Sequence, residues 1–265
     1  MILTLPISHL INSENYTKVP GIKALEFKKK QPILEYPGPI LFHSGKGIVD
    51  HDFMDYFDEI LPFLNDNNFE CFSFDIGPAS AFVKTENYYY ISESEPLSKG
   101  EILKLSKQRL SYVKDRFNGF VALENLNYFP TTAYSHVCDP GFFAKVVREN
   151  DVYCILDIAH AMISAHNLGI DWQDYFMQMP LERVKEIHLS AHGMVDGKWR
   201  DLHHRPNKET YKILEFIQKN LKKEAYIIVE FYEDFSELIE IYQEVFEWLK
   251  NKNDSNHGVR HLAGN

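Results

Sequence analysis

Cysteine is scarce in this chain. Three of 265 residues are cysteine, Cys71, Cys138 and Cys154. The number is odd and no two are spaced as a pair, so neither a disulfide framework nor a Cys-rich structural zinc site is expected. Cys71 and Cys154 fall inside apolar, strand-like runs, where a free cysteine acts as a small core residue. Long apolar runs are missing as well. No stretch of about 20 residues reads as a bilayer span, and the first residues show no basic region followed by a long apolar core. A cytoplasmic setting without membrane contact is therefore expected. Positive charge is also short: 28 Lys and Arg stand against 38 Asp and Glu, a net charge of -10. With no polybasic patch, nucleic acid is not an expected partner. Internal repeats and low-complexity tracts are absent.

What is present is alternation. Apolar runs at residues 2–5, 22–27, 40–43, 69–74, 119–123, 152–156, 184–189 and 225–229 read as strands. Helical spacing marks 52–66, 98–116, 140–149, 171–179, 208–222 and 235–250, with Ser98 and Glu101 forming a capping-box pattern. Residues 80–97, rich in Tyr, Ser and Glu, read as an irregular loop of the kind that covers a site. Eight strands with helices between them predict an α/β fold, a (β/α)8 TIM barrel, as a single domain over residues 1–250. The first two connections are short for full helices. Residues 251–265 read as a loose polar tail.

In such a barrel the active site lies at the C-terminal strand ends. Strand two carries Glu26 there, and the next six carry His43, Asp75, Glu124, Asp157, His188 and Glu230. Converging carboxylates and imidazoles would bury unpaired charge unless cations sat among them. Local spacing adds candidates. His192 follows His188 by four residues, Asp157 and His160 stand three apart where a strand runs into a loop, and Asp201 and His203 share one side of an extended segment. The expected metal ligands are thus His43, Asp75, Glu124, Asp157, His160, His188, His192, Asp201, His203 and Glu230. A mixed nitrogen and oxygen set suits iron, manganese or zinc in a catalytic role, and the surplus of ligands suggests two or three ions. Each residue also has a plainer reading: Asp75 before Gly77-Pro78 fits an Asx turn, His43 fits a turn cap, and Glu26 fits a solvated strand end.

Residues 157–206 carry a resemblance. Ile155-Leu-Asp157-Ile-Ala-His160, Ser164-Ala-His-Asn167-Leu-Gly169, Pro180-Leu-Glu-Arg-Val-Lys-Glu-Ile-His188-Leu-Ser-Ala-His192 and Asp201-Leu-His203, with Glu124-Asn125 and Glu230 around them, resemble the multinuclear non-haem iron-dependent oxidative enzymes of the xylose-isomerase-like barrel superfamily. Asp75 departs from the pattern, since that strand usually offers a histidine. The resemblance implies two or three iron ions and the use of dioxygen to modify a cysteine-containing, ribosomally made precursor peptide. It also implies a small partner protein that presents the peptide. Glu124, Asp157 and Glu230 would be central to the chemistry, and Asn125, Asn167 and Arg200 would meet substrate.

Two other classes stay open. Glu124, Asp157, His188 and Glu230 also match a single-metal sugar isomerase or epimerase, in which two carboxylates move a proton while manganese polarises oxygen; His160 and Arg200 would then hold hydroxyls. An endonuclease-like hydrolase with zinc is a related option, set back by the acidic surface. A barrel that binds metal without turnover is the non-enzyme reading.

Overall fold

The structure is a computed structural model that describes residues 1–33 and 35–260, the last eight of these by backbone alone. In chain order the strands are β1 (Ile2–Ile7), β2 (Ala24–Phe27), β3 (Ile40–Gly47), β4 (Cys71–Asp75), β5 (Val83–Glu86), β6 (Tyr89–Ser92), β7 (Phe120–Glu124), β8 (Tyr153–Asp157), β9 (Val184–Leu189), β10 (Ala191–Val195), β11 (Lys198–His204) and β12 (Tyr226–Val229). The helices are α1 (Phe53–Asp66), α2 (Lys99–Lys114), α3 (Pro140–Glu149), α4 (Ile158–Leu168), α5 (Trp172–Gln178), α6 (Lys208–Asn220) and α7 (Phe235–Arg260).

The eight expected strands close into one parallel barrel in the order β1-β12-β9-β8-β7-β4-β3-β2. Helices flank it, and the chain is a single-domain TIM barrel. The two connections that looked short carry no α-helix; β1 leads to β2 through one 3-10 turn, Tyr16–Lys18.

Strand alternation fixes what the barrel holds. Successive side chains point to opposite faces. One set, including Phe42, Phe72, Phe74, Leu123, Leu156, Ile187 and Val229, is buried against the helices. The other set fills the interior with Ala24, Leu41, Cys71, Ala122, Ile155, Tyr226 and Ile228. Two residues after an interior position lies another interior position, nearer the C-terminal end. Ala24 is thus followed by Glu26, Leu41 by His43, Ala122 by Glu124, Ile155 by Asp157, and Ile228 by Glu230. The apolar plug and the polar mouth above it are successive layers of one pleat.

Four features differ from the sequence expectation. Residues 80–97 are not irregular throughout, because β5 and β6 pair there as an antiparallel hairpin. The segment after β9 is a second hairpin, β10 with β11. Asp157 opens a helix rather than a loop: its Oδ1 accepts from the His160 backbone N–H at 2.6 Å, and Gly169, in the left-handed region at φ 67°, ends α4. No apolar periodicity announced α4, since its first two turns are buried on almost every side and only residues 166–168 at its end are exposed. The expected capping box of α2 is present at Ser98 and Glu101. Helix α7 continues to Arg260, past the point at which a loose tail was expected to start at 251; residues 261–265 of that tail lie outside the described residues. Among the described residues no helix is long and apolar enough to cross a membrane.

Candidate metal centre at the barrel mouth

The mouth is built around imidazoles whose outer nitrogens are already committed. His188, fully buried on β9, has Nε2 3.0 Å from Glu26 Oε1. A carboxylate accepts, so Nε2 carries the proton and donates. Nδ1 then faces Glu124 Oε1 at 2.9 Å and Glu230 Oε2 at 3.7 Å outside hydrogen-bond geometry, and offers its lone pair once the ring gives up its second proton. His43 repeats the arrangement. Its Nδ1 lies 3.2 Å from Ser73 Oγ, whose own proton goes to the Phe42 carbonyl, and its Nε2 faces Glu124 Oε2 at 3.0 Å. His160 has Nδ1 2.8 Å from the Asn125 carbonyl oxygen, which can only accept, and Nε2 3.1 Å from Asp201 Oδ2. In all three rings one nitrogen donates outward and the other turns toward a carboxylate. Histidines that hold a cation are oriented in this way by their outer partner.

The carboxylates show the complementary pattern. Asp157 spends Oδ1 on the α4 cap, while Oδ2 is buried without a partner; Oε2 of Glu26 and Oε2 of Glu186 are in the same condition. Among the described residues, four groups of His and carboxylate residues bring one ligand atom each within 4.8 Å of one another: His43, Glu124 and His188; Glu26, Glu186 and His188; Glu124, Asp157 and His160; and Asp157, His188 and Glu230. His188 belongs to three of the four. Buried acceptors without donors, next to imidazole lone pairs, are the donor set that divalent cations accept.

Electrostatics agree with the geometry. Burial alone would raise every carboxyl here. Glu124 nonetheless lies well below its usual range, because His43 and His188 outweigh its burial. Glu230 is likewise held well below by Lys28 and His188. Burial opposes charge on His188, yet Glu230, Glu26 and Glu124 push it well above the usual imidazole value, and Asp157 and Asp201 do the same for His160. Asp157, with fewer counter-charges, is pushed up to about 8 by burial. Asp75 is driven well above its usual range by burial and then by Glu124 beside it. A pocket that holds protons this firmly exchanges them for a metal ion when one binds.

The other expected residues fall in distinct places. Hairpin β10–β11 delivers Asp201 and His203, with His203 Nε2 3.2 Å from Asp201 Oδ2 and 3.6 Å from Glu230 Oε2. His192 stands outside the close groups. Its ring stacks on Trp199 at 3.9 Å, and Trp199 stacks on His166 at 4.1 Å. Asn125 braces Asp157 through a reciprocal pair, accepting from the Asp157 N–H at 2.9 Å and donating to its carbonyl at 3.1 Å. Asn167, exposed on α4, donates to the Tyr128 carbonyl at 2.7 Å. Arg200 is buried behind β11. Glu26, which as a strand end could have been solvated, is wholly buried.

Sequence reasoning missed Glu186 and Lys28. Glu186 was readable, because it precedes His188 by two on an alternating strand and so shares its interior face. Its Oε1 accepts from the Cys71 thiol at 2.7 Å, and burial followed by Glu26 pushes it up to about 8. Lys28 pairs with Glu230 from a strand two places away in the barrel, a contact that no spacing in the sequence announces.

Comparison with known proteins follows the same lines. A xylose isomerase domain containing protein of Salmonella typhimurium superposes with a TM-score of 0.62 at 10% identity, covering 94% of this chain and 96% of that one. The E. coli 3-keto-D-glucoside 4-epimerase superposes with a TM-score of 0.55 at 18% identity, covering 95% and 99%. These likenesses establish the barrel type. In sequence, a UPF0276 protein of Acaryochloris marina is 30% identical over 121 residues, which is 45% of this chain and 44% of that protein; the chain thus matches less than half the length of this relative. The profile of the family described as "RiPP precursor modification enzyme MbnB/TglH/ChrH" matches residues 86–250. That span holds Glu124, Asp157, His160, His188, Asp201, His203 and Glu230, and the chain belongs to this family of precursor-peptide-modifying enzymes.

Proposed function

We propose that the chain is an iron-dependent oxidoreductase that holds two or three ions at the barrel mouth and uses dioxygen to modify a cysteine of a ribosomally made precursor peptide, with a small partner protein presenting the peptide. The observation that carries the metal reading is the set of committed outer nitrogens on His43, His160 and His188, each leaving a lone pair turned toward a carboxylate. His188 and Glu124 are each shared between groups, and sharing favours neighbouring ions over a single one. Iron, when bound, supplies one-electron chemistry toward dioxygen and Lewis acidity toward a thiolate. The ligands in this proposal are His43, Asp75, Glu124, Asp157, His160, His188, Asp201, His203 and Glu230, with Glu26 and Asn125 fixing the ligands they touch. Glu124, Asp157 and Glu230 sit at the centre of the chemistry. The chain's own field is negative, so an anionic thiolate approaches only where cations offset it. Membership in the precursor-peptide family supports a peptide substrate.

A second reading is a single-metal epimerase. It is favoured by one group, Asp157, His188 and Glu230, which would serve one ion, and by a barrel shared with 3-keto-D-glucoside 4-epimerase. Elemental analysis of protein purified without oxygen or chelator separates the two. Two or three irons per chain, with oxygen uptake on adding a Cys peptide, is the expected result. One manganese or zinc per chain, with oxygen-independent turnover of ketohexoses, would replace it with the epimerase reading.

A further inference from the structure

Hairpin β10–β11 has two working faces. Trp199, Asp201 and His203 alternate on the face that meets His192, His160 and Glu230. Lys198 and Arg200 lie on the other face and meet hairpin β5–β6. Arg200 is 5% exposed, and its Nε and Nη1 are buried without a hydrogen-bond partner. Its guanidinium carbon lies 4.7 Å from the Phe129 ring centroid and 5.2 Å from that of Tyr89, and Lys198 Nζ lies 5.6 Å from Tyr89. A cleft of about 200 Å³ opens between the hairpins, lined by Tyr89, Asp196, Lys198 and Arg200 among others.

Guanidinium does not shed its proton, so burial cannot neutralise Arg200 as it neutralises an acid. Aromatic rings cover part of the group and leave N–H donors unmatched in a protein whose net charge is -10. Cation–π contact offsets some of the desolvation but accepts no hydrogen bond. The missing partner is an acceptor with negative charge. A carboxylate offers the planar fork two acceptors on a single charge, so Asp196 in the same cleft opposes it less than it opposes a phosphate dianion.

We infer that the cleft between the two hairpins is a docking site for an acidic segment of the peptide substrate, whose carboxylate pairs with Arg200 and is assisted by Lys198. The inference rests on the peptide reading of the preceding section and adds a determinant remote from the reacting cysteine. Arg200 is a binding residue here and not a catalytic one.

The test uses two fluorescein-labelled synthetic peptides of equal length, one of alternating Asp and Ser and the other with Asn for Asp, read by fluorescence anisotropy on the full chain. The wild type is expected to prefer the Asp peptide, against the repulsion of its own net charge. Arg200→Gln should lose roughly tenfold or more of that affinity, the scale of one charge-assisted bond, and Arg200→Lys should fall between. A merely structural clasp between Arg200, Tyr89 and Phe129 would leave the two peptides indistinguishable, which overturns the inference. Should Arg200→Gln fail to fold, Lys198→Glu reads the same cleft from an exposed position; it should melt as the wild type does and bind the Asp peptide several-fold more weakly, and unchanged binding there also overturns the inference. Iron content measured on the same samples keeps the two proposals apart. Charge preference without iron sinks the metal reading alone, and iron without charge preference sinks the cleft alone.

Discussion

Two hairpins follow barrel strands at the mouth, one after β4 and one after β9, and they contribute opposite kinds of side chain. Hairpin β10–β11 brings a carboxylate and an imidazole, Asp201 and His203, into contact with His160 and Glu230. Hairpin β5–β6 brings rings: Tyr89 stacks on Phe129 at 5.5 Å and Tyr90 on Tyr134 at 5.9 Å, while the Tyr90 N–H donates to the Tyr134 hydroxyl at 2.9 Å. The first sets Asp201 and His203 against the polar mouth that the barrel strands begin. The second packs its rings against Phe129 and Tyr134, and among the described residues neither hairpin adds a member to the close groups. The same local device, an antiparallel pair inserted after a parallel strand, thus presents ionisable groups in one place and aromatic rings in the other. Side-chain chemistry decides which.

The largest expected effect tests that division directly. Asp201→Ala or His203→Ala should weaken metal affinity by at least the roughly 10–100-fold that loss of a supporting group costs. Tyr89→Leu should leave it unchanged. Competition with a coloured chelator, followed by elemental analysis, measures both. Equal losses from the two hairpins would end the distinction. Next in size is the stability that metal confers. An ion that binds only the folded chain, present at about 1,000 times its dissociation constant, stabilises by about 4 kcal/mol. Chelator should lower Tm accordingly in the wild type and in Tyr89→Leu. In Asp201→Ala most of that shift should vanish. A chelator-independent Tm in the wild type would deny that the polar mouth needs cations.

A smaller effect is expected where β10–β11 is held to the barrel. Trp199 lies between His192 and His166, and α4 carries His166. Trp199→Leu keeps an apolar side chain but removes both stacks, each worth about 0.5–1.5 kcal/mol beyond buried area. The expected outcome is a Tm lowered by several degrees, together with weaker metal binding, because Asp201 and His203 ride on the same strand. Full metal affinity in a destabilised Trp199→Leu would show that the ligands are placed by the barrel alone.

How much of this was legible in the sequence follows from the range of the interactions. The eight barrel strands could be read because each is a short apolar run, and the polar residue closing seven of them could be read because an ionisable residue ending such a run stands out. His192 shows the limit of spacing. It sits four residues after His188 and looked like a ligand, but a bulge in the register between Ala191 and His192 accompanies its turn onto Trp199. Hairpin β5–β6 was hidden because its strands are short and half exposed, with Asn87 and Tyr88 at positive φ in the turn where a glycine signal would usually stand. Helix α4 was hidden for the opposite reason, since its first two turns are buried on almost every side and leave no amphipathic stripe. Lys28 with Glu230, and Arg200 with Phe129, join residues far apart in the chain, and only the closed barrel and its hairpins bring them together.

The smallest expected effect is a null result with a consequence for the chemistry. All three cysteines are buried, and burial raises each thiol above its usual range, with Glu186 adding to the rise at Cys71. Reactive cysteines depend on the thiolate, which here is suppressed. Cys71 lies in the apolar layer beneath the mouth, with its proton committed to Glu186. A thiol reagent such as Ellman's should therefore label none of the three in the folded chain at neutral pH, and all three after unfolding in guanidinium. With none labelled, the chain contributes no thiolate of its own to the mouth, which is what the proposal of a cysteine on the substrate requires. Labelling of Cys71 in the folded state, suppressed by metal, would instead place a protein thiolate within reach of the ions and would make hairpin cover, rather than ligand supply, the feature to explain.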